Sequence, residues 1–473
     1  MRTTKDTPFN VNQATAPPRS GILIAALALA GLSTSFLQAQ EVISSDFTQD
    51  GGTFTVSPIG QLTISGSDNP QLTLTNGADS SGLQGLRVGT TDFETPSSGR
   101  LRIEAGSEMD SGGTSLIGTQ ANSSGTVTVT GTDSYWNSSS IRVGSSGNGI
   151  LNIENGGYVL SGGDAIVGSG LSGEGTVTVS GSGSTWWNST GLTIGQWGSG
   201  AMTISNGGHV RNNTGIIASN NDSSGNVTVT GEGSIWTNNN DLILGGWGTT
   251  SATTGEGTLT ISDGGTVIVG GTTSIHGFSN PSAINLLAGG TLQTQSLLGS
   301  SRLNWAGGNL MFTGTSGAVS TIPEDGTLGG TGTYTSNITN FGTVSPGFST
   351  GTLTIDADLD NQGSILFEIA DLLDHDVLVV TGTAELDGIL SLVLDGYSPE
   401  EGDSFALLDF GTLVDDGYSF DFSEAELSAG LSWDTGSFND DGSISVIPEP
   451  AQSVLLLGAL ALGGIIIRRS LRA

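Results

Sequence analysis

Three stretches decide the fold: GTVTVTGTDSYWNSS at 125–139, GTVTVSGSGSTWWNS at 175–189 and GNVTVTGEGSIWTNN at 225–239. They recur every 50 residues, with Gly131, Gly181 and Gly231 in step and Trp136, Trp186 and Trp236 in step. A period of this size belongs to stacked repeat architectures. Each 50-residue unit divides again. Residues 125–144 (GTVTVTGTDSYWNSSSIRVG) and 149–168 (GILNIENGGYVLSGGDAIVG) share a strand after the first glycine, and Ile or Ala, Val and Gly at the same later offsets. The elementary unit is therefore half the long period.

The same template fits starts at Pro70, Gly99, Gly125, Gly149, Gly175, Gly200, Gly225 and Gly257. The second and fourth residues after each start are aliphatic in all eight units, from Leu72 and Leu74 through Val127 and Val129 to Leu259 and Ile261. The residue between them is always Thr, Arg or Asn. This is period-two alternation, the pattern of a strand with one buried face. A five-residue strand cannot bury its apolar pair alone. If each unit makes one coil, the next coil lays its strand alongside, parallel and in register, and the pairs stack into a continuous interior column. Glycines at the strand ends are expected to supply the positive φ that corners need. Asn155-Gly156, Asn206-Gly207 and Asp263-Gly264 are turn signals at matching places. The expected fold is all-β: a right-handed parallel β-helix, or β-solenoid, with about 25 residues per coil. Roughly fifteen coils at about 4.8 Å each make a rod on the order of 70 Å.

Composition narrows the function. The chain has 473 residues, of which 77 are Gly, 12% are charged and none is Cys. Disulfides, thiolate metal sites and cysteine nucleophiles are excluded. Asp and Glu total 45 against 12 Lys and Arg, a net charge of −33. Such a surface repels phosphate backbones, so no nucleic-acid partner is expected.

The two ends read differently from the body. Residues 1–39 have the form of a signal peptide, with Arg2, Lys5 and Arg19 before the apolar run Gly21 to Gly31 and a cleavage site at Leu37-Gln38-Ala39. At the other end Pro448-Glu449-Pro450 precedes the apolar stretch 451–467 and then Arg468, Arg469 and Arg472. Seventeen apolar residues make a helix of about 25 Å, at the short end of a bilayer span. The arginines would keep that end cytoplasmic and the body on the far side of the membrane.

Residues 448–473, by their triplet, short helix and basic tail, resemble the PEP-CTERM sorting signal of Gram-negative bacteria. The resemblance implies recognition by an exosortase, a membrane-embedded transpeptidase-like enzyme. It implies that Pro448, Glu449, Pro450, Arg468 and Arg469 form the sorting signal, and that the helix is an address removed in the inner membrane. The repeats at about 86–277 resemble the T5SS/PEP-CTERM-associated repeat of autotransporter passengers. LNWAGGNLMFTG at 303–314 and the segment 326–348 resemble the end of such a passenger. No translocator barrel follows them, so self-export is not expected. The implied organisation is a signal peptide at 1–39, β-helix repeats at 40–277, a passenger-like continuation with acidic strands at 278–445, and the sorting signal with its single membrane helix at 446–473.

Motifs for chemistry are sparse. Asp356, Asp358 and Asp360 have the alternation of a calcium loop, but Asn361 replaces its turn glycine and Phe367 its closing glutamate. No metal and no cofactor is expected. His209, His276 and His375 are far apart in the chain. Glu104 and Glu154 share an offset in different coils without forming a clear acid pair. Trp136, Trp186, Trp187, Trp236 and Trp247 form a candidate sugar-stacking strip among Asn, Ser and Thr. The plainer reading is that the repeat tryptophans cover the core at coil corners. The sequence thus predicts an exported, cell-surface or matrix-associated solenoid with a structural or adhesive role and no enzyme activity. Its expected partners are an exosortase, the membrane through the C-terminal helix, and extracellular polysaccharide. The alternatives are a carbohydrate-acting β-helix enzyme and a polysaccharide-binding module.

Overall fold

The computed structural model describes residues 40–55, 60–90, 96–246, 255–276, 282–317 and 319–449. These form a parallel β-solenoid of about fourteen turns. Secondary structure other than strand is confined, among the described residues, to a three-residue 3₁₀ turn and the four-residue helix Phe438–Asp441. The expected signal peptide and C-terminal helix lie outside the described residues.

One repeat shows the plan. Asn148–Glu154 forms a first face, Tyr158–Ser161 a second and Ala165–Val167 a third, after which Glu174–Ser180 returns to the first. Each strand pairs in parallel with its counterparts in the neighbouring coils. Some coils run their second and third strands together: Tyr135–Val143 pairs with both Tyr158–Ser161 and Ala165–Val167. Among the described residues eleven strands stack in the first face.

The register matches the template residue for residue. Val127 pairs with Leu151, Leu151 with Val177, and Val177 with Met202. All sixteen aliphatic residues of the eight units are buried. Each such side chain contributes about 1.5–3 kcal/mol relative to exposure. The intervening residues, Thr128, Asn152, Thr178 and Thr203 among them, are half-buried because the coils above and below flank them.

Two kinds of glycine make the coil possible. The expected positive φ is found where strands end: Gly131, Gly144 and Gly168, each directly after a strand, have φ of 92°, 71° and 73°. Asn155 and Gly156 have φ of 52° and 89°, so this Asn-Gly pair turns the corner from the first face to the second in the left-handed region. The strand-start glycines are not positive-φ corners. A Cβ on Gly175 would sit 2.3 Å from the carbonyl oxygen of Val143. Backbone approach, rather than dihedral freedom, requires glycine there.

The coil length is not constant. It holds at ~25 residues along the Trp repeats and shortens further on, where Leu310 pairs with Leu328 and Leu328 with Val344. The inward column of the second face, which runs from Trp236 through Val267 and Leu292, nevertheless continues through Leu310, Leu328, Val344, Ile365 and Leu390, all buried. At the C-terminal end the direction changes. Ser404–Ala406, Ser443–Pro448 and Leu431–Asp434 form an antiparallel sheet. Its Trp433 stacks on Phe422 of the last coil with ring centroids 5.7 Å apart, and Phe438 of the short helix lies edge-on to Phe420 of that coil with ring centroids 5.0 Å apart. At the other end Gln40–Ile43, Phe47–Asp50 and Thr53–Thr55 each pair on one side only among the described residues.

The inward-outward assignment predicts unequal effects from neighbouring changes. Val179→Asp places an unpaired carboxylate in the column and should cost several kcal/mol. Thr178→Asp, between Asn152 and Thr203 on the outer side, should change stability by less than about 1 kcal/mol. Gly175→Ala should also destabilise, because the blocking atom is backbone. Thermal melts of the three variants check the order; equal effects of the two aspartates would overturn the assignment.

Candidate functional site

Alternation along the second face separates the tryptophans. Trp186 and Trp187 are consecutive in Thr185–Asn188, so one side chain points in and the other out. Trp136, Trp186 and Trp236 are 0% exposed, whereas Trp187 is 42% exposed. This corrects the sugar-strip reading for the three repeat tryptophans, whose rings are sealed inside the solenoid. They sit within strands of the second face rather than at coil corners. Trp247 lies outside the described residues.

The interior arrangement explains the 50-residue period. Trp136 pairs with Val159, Val159 with Trp186, Trp186 with Val210, and Val210 with Trp236, so indole and valine alternate coil by coil. On the third face Ser115, Ile141, Ala165, Leu192, Gly215 and Leu242 form a second alternation, small in every coil that lacks the tryptophan. A Cβ added to Gly215 would lie 3.0 Å from Cζ2 of Trp236 and 2.2 Å from Oδ1 of Asn238. Each large coil therefore extends into space left by the small coil before it. The signal was present in the sequence as Ser115, Ala165 and Gly215, which recur with the long period, each at the same interval ahead of a repeat tryptophan.

A buried polar ladder runs beside the indoles. Trp136 Nε1 donates to Ser111 Oγ at 3.2 Å, and Trp236 Nε1 donates to Asn212 Oδ1 at 2.7 Å. Asn212 Nδ2 donates to Asn238 Oδ1 at 2.6 Å. In the middle repeat neither Trp186 Nε1 nor the Asn188 amide has a partner. Asn and Ser near the tryptophans, read from sequence as sugar contacts, thus belong in part to the core.

The outward residues of the second face form a different set. Tyr135, Tyr158, Thr185 and His209 follow one another in one register column, and Asn137, Leu160, Trp187 and Arg211 in the next. The Tyr135 and Tyr158 rings stack with centroids 5.4 Å apart. The Arg211 guanidinium carbon lies 5.7 Å above the Trp187 ring. A shallow groove of about 370 Å³ opens between Tyr158, Trp187, His209, Arg211 and Ile235. A second, of about 470 Å³, adjoins it across Tyr158 and reaches Tyr135 and Asp133. Burial pushes the Tyr135 and Tyr158 hydroxyls above their usual range, with Glu108 and Asp110 adding to the shift at Tyr135. Of this set the sequence singles out Trp187 alone as a sugar contact. The others are obscured because a register column joins residues one coil apart whose types differ from coil to coil.

The remaining candidates do not converge. His209, His276 and His375 lie in different coils. Glu104 receives the Arg102 Nε–H at 2.5 Å, and Thr130 separates it from Glu154 in the register. The alternating aspartates serve the next coil: Asp356 accepts from the Thr381 hydroxyl at 2.8 Å, and Asp358 from the Thr383 N–H at 2.8 Å. Among the described residues no group of three His, Cys, Asp or Glu is placed to hold a metal ion. Pro448 closes the last strand and Glu449 follows it, both exposed. Pro450, Arg468 and Arg469 lie outside the described residues. Among those residues no helix is long and apolar enough to cross a membrane.

One buried carboxylate stands apart. Asp376 accepts from the Gly351 N–H at 2.8 Å and the Glu368 N–H at 2.9 Å, tying the loop after Ser364–Ile369 to the coil before it. Burial raises its pKa to about 7 despite those two donors. Burial lowers that of the adjacent His375, which lies edge-on to Phe405 with ring centroids 5.5 Å apart.

No protein-family model matches the chain, and a search of curated proteins finds no match. The resemblances noted in the sequence therefore rest on the residues that carry them.

Two outcomes follow. Trp186→Ala should destabilise by about 3–5 kcal/mol, whereas Trp187→Ala should have a small effect on the melt; comparable losses would contradict the in-out separation. Asp376 binds its proton more tightly folded than unfolded. Its contribution is therefore full below the ordinary pKa of 3.8 and lost as pH rises through about 7. Denaturant titrations from pH 4 to 8 should show a loss of stability over that window that is reduced in Asp376→Asn; identical slopes in the two proteins would contradict it.

Proposed function

We propose that this protein is an exported solenoid with a structural or adhesive role at the cell surface or in the surrounding matrix, delivered by an exosortase-type system. The observation that carries the structural part is the unbroken stacked core. About fourteen turns at about 4.8 Å give a rod of roughly 65 Å, and the buried side chains form one continuous cluster along it. A rod of this kind separates whatever it displays from the point where it is held.

The setting of the first two triplet residues supports the sorting reading: Val446 is buried in the cap, Ile447 is half-buried, and Pro448 and Glu449 are exposed. The Glu449 N–H donates to the Gly430 carbonyl at 2.8 Å. Pro448 and Glu449 thus stand exposed at the edge of the cap. Proline fixes φ and disfavours helix, so a proline-glutamate-proline sequence favours the extended form that an enzyme in the membrane would read.

The test is made in the producing cell. Replacing Pro448, Glu449 and Pro450 with alanine should leave export intact and block processing, so that the protein accumulates in the inner membrane about 2 kDa heavier than the released form, as estimated for a helix and tail of about 23 residues. Mass spectrometry of the surface protein reads the outcome. Recovery of a mature form that still ends beyond Ile467 would overturn the sorting proposal.

A further inference from the structure

The outward strip of the second face differs in charge from the rest of the molecule. The chain carries 45 acidic residues. Glu108 and Asp110 occupy the two outward columns in one coil, and no carboxylate follows in either column through the next coils, from Tyr135 and Asn137 to Thr291 and Gln293. In that interval the columns hold Tyr135, Tyr158, Trp187, His209 and Arg211. Coils spaced about 4.8 Å apart set these side chains in a ladder along the rod.

Arg211 is exposed, and no carboxylate of the described residues lies within ion-pairing distance of it. Its contacts are the Trp187 ring and, at 3.4 Å, the Asn239 side-chain oxygen. The guanidinium is therefore held at the groove with its charge unmatched, on a protein with abundant carboxylates to offer. His209 is held beside it by a contact of 3.1 Å between Nε2 and the Gly233 carbonyl. An indole face, a phenol edge and a fixed guanidinium form a composite recognition surface. The part of the indole that Arg211 leaves exposed stacks on the apolar face of a pyranose, and the guanidinium beside it takes a carboxylate through paired N–H donors. The threonine hydroxyls of Thr185 and Thr237 border the same groove and suit sugar hydroxyls.

We propose that this groove binds a uronate-bearing polysaccharide, with a sugar ring stacked on Trp187 and its carboxylate on Arg211. The proposal rests on the adhesive reading above and names its partner. A strand lying along the rod meets Tyr158 and Tyr135 in the preceding coils, which extends the contact beyond one sugar. The net negative charge of the chain opposes a polyanion at long range, so recognition depends on contact at this strip. Added salt should therefore weaken binding less than it does for a basic protein.

The test is isothermal titration of the protein purified from the producing cell with oligogalacturonate, with a cello-oligosaccharide of equal length as the neutral arm. The uronate oligomer should bind, and the neutral one about tenfold or more weaker. Trp187→Ala should lower affinity for the uronate oligomer by about tenfold or more, and Arg211→Gln should do the same. Both positions are exposed, so unchanged thermal melts confirm that the variants are folded. Absence of uronate binding, equal binding of the neutral oligomer, or wild-type affinity in either variant would overturn the proposal. Export and C-terminal processing of both variants are followed in the producing cell. Normal processing with lost binding separates failure at the groove from failure of the surface role.

Discussion

Everything in this molecule depends on coils stacking in register. A strand of five to seven residues with two or three inward side chains has too little apolar surface to offset the entropy of ordering its backbone. Laid against the same strand of the next coil, it shares backbone hydrogen bonds and a common interior. The coil therefore has to bring equivalent residues to equivalent places, and the glycines serve that requirement. At Gly175 a Cβ would strike the backbone of the preceding coil, so the close packing of the first and third faces excludes any side chain. The same requirement tolerates variation in length. The shortened coils still keep Leu328 opposite Val344, with strands cut to the two residues Thr333–Tyr334 and the three residues Ile338–Asn340.

A second constraint acts on volume. One solenoid cross-section has little room for an indole beside an Ile or Leu. The chain meets this by pairing coils: Trp186 with Leu192 in one, Val159 with Ala165 in the one before. Two coils thus form the packing unit although one coil is the backbone unit. The buried hydrogen bonds of Trp136 and Trp236 to Ser111 and Asn212 add a polar requirement to the same unit. The middle repeat, where Trp186 and Asn188 lack partners, shows that the indole keeps its place without that bond.

Much of this was legible in the sequence, and the failures are instructive. The aliphatic pairs could be read because period-two alternation and a fixed repeat together leave one way to bury them. The Asn-Gly and Asp-Gly corners could be read because few residues accept positive φ. The strand-end glycines could be read for the same reason, whereas the close approach that requires glycine at strand starts such as Gly175 leaves no mark on local dihedral preference. The repeat tryptophans are ambiguous because their neighbours are Asn, Ser and Thr, which look like a wet surface. In the fold several of those neighbours face inward at the bend between the second and third faces. The outward groove could not be assembled from sequence at all. Tyr158, Trp187 and Arg211 come from three coils and share no repeat position by type. The antiparallel cap was likewise hidden, because Ser404–Ala406 pairs with Ser443–Pro448 without any repeat to mark it.

The paired-coil packing is the central claim, because it fixes which tryptophan face is interior and which residues remain outside to meet a partner. A double-mutant cycle at Gly215 and Trp236 tests it most directly, with stabilities of the wild type, Gly215→Ala, Trp236→Leu and the double variant measured by denaturant unfolding. In the wild type the added methyl meets the indole and, more closely, the Asn238 side-chain oxygen; removing the indole lifts the first contact and opens space into which the Asn238 side chain can turn. The account predicts that Gly215→Ala costs about 1–3 kcal/mol alone and at least about 1 kcal/mol less in the Trp236→Leu background. Additive losses would show that the two coils do not share volume and would contradict the account.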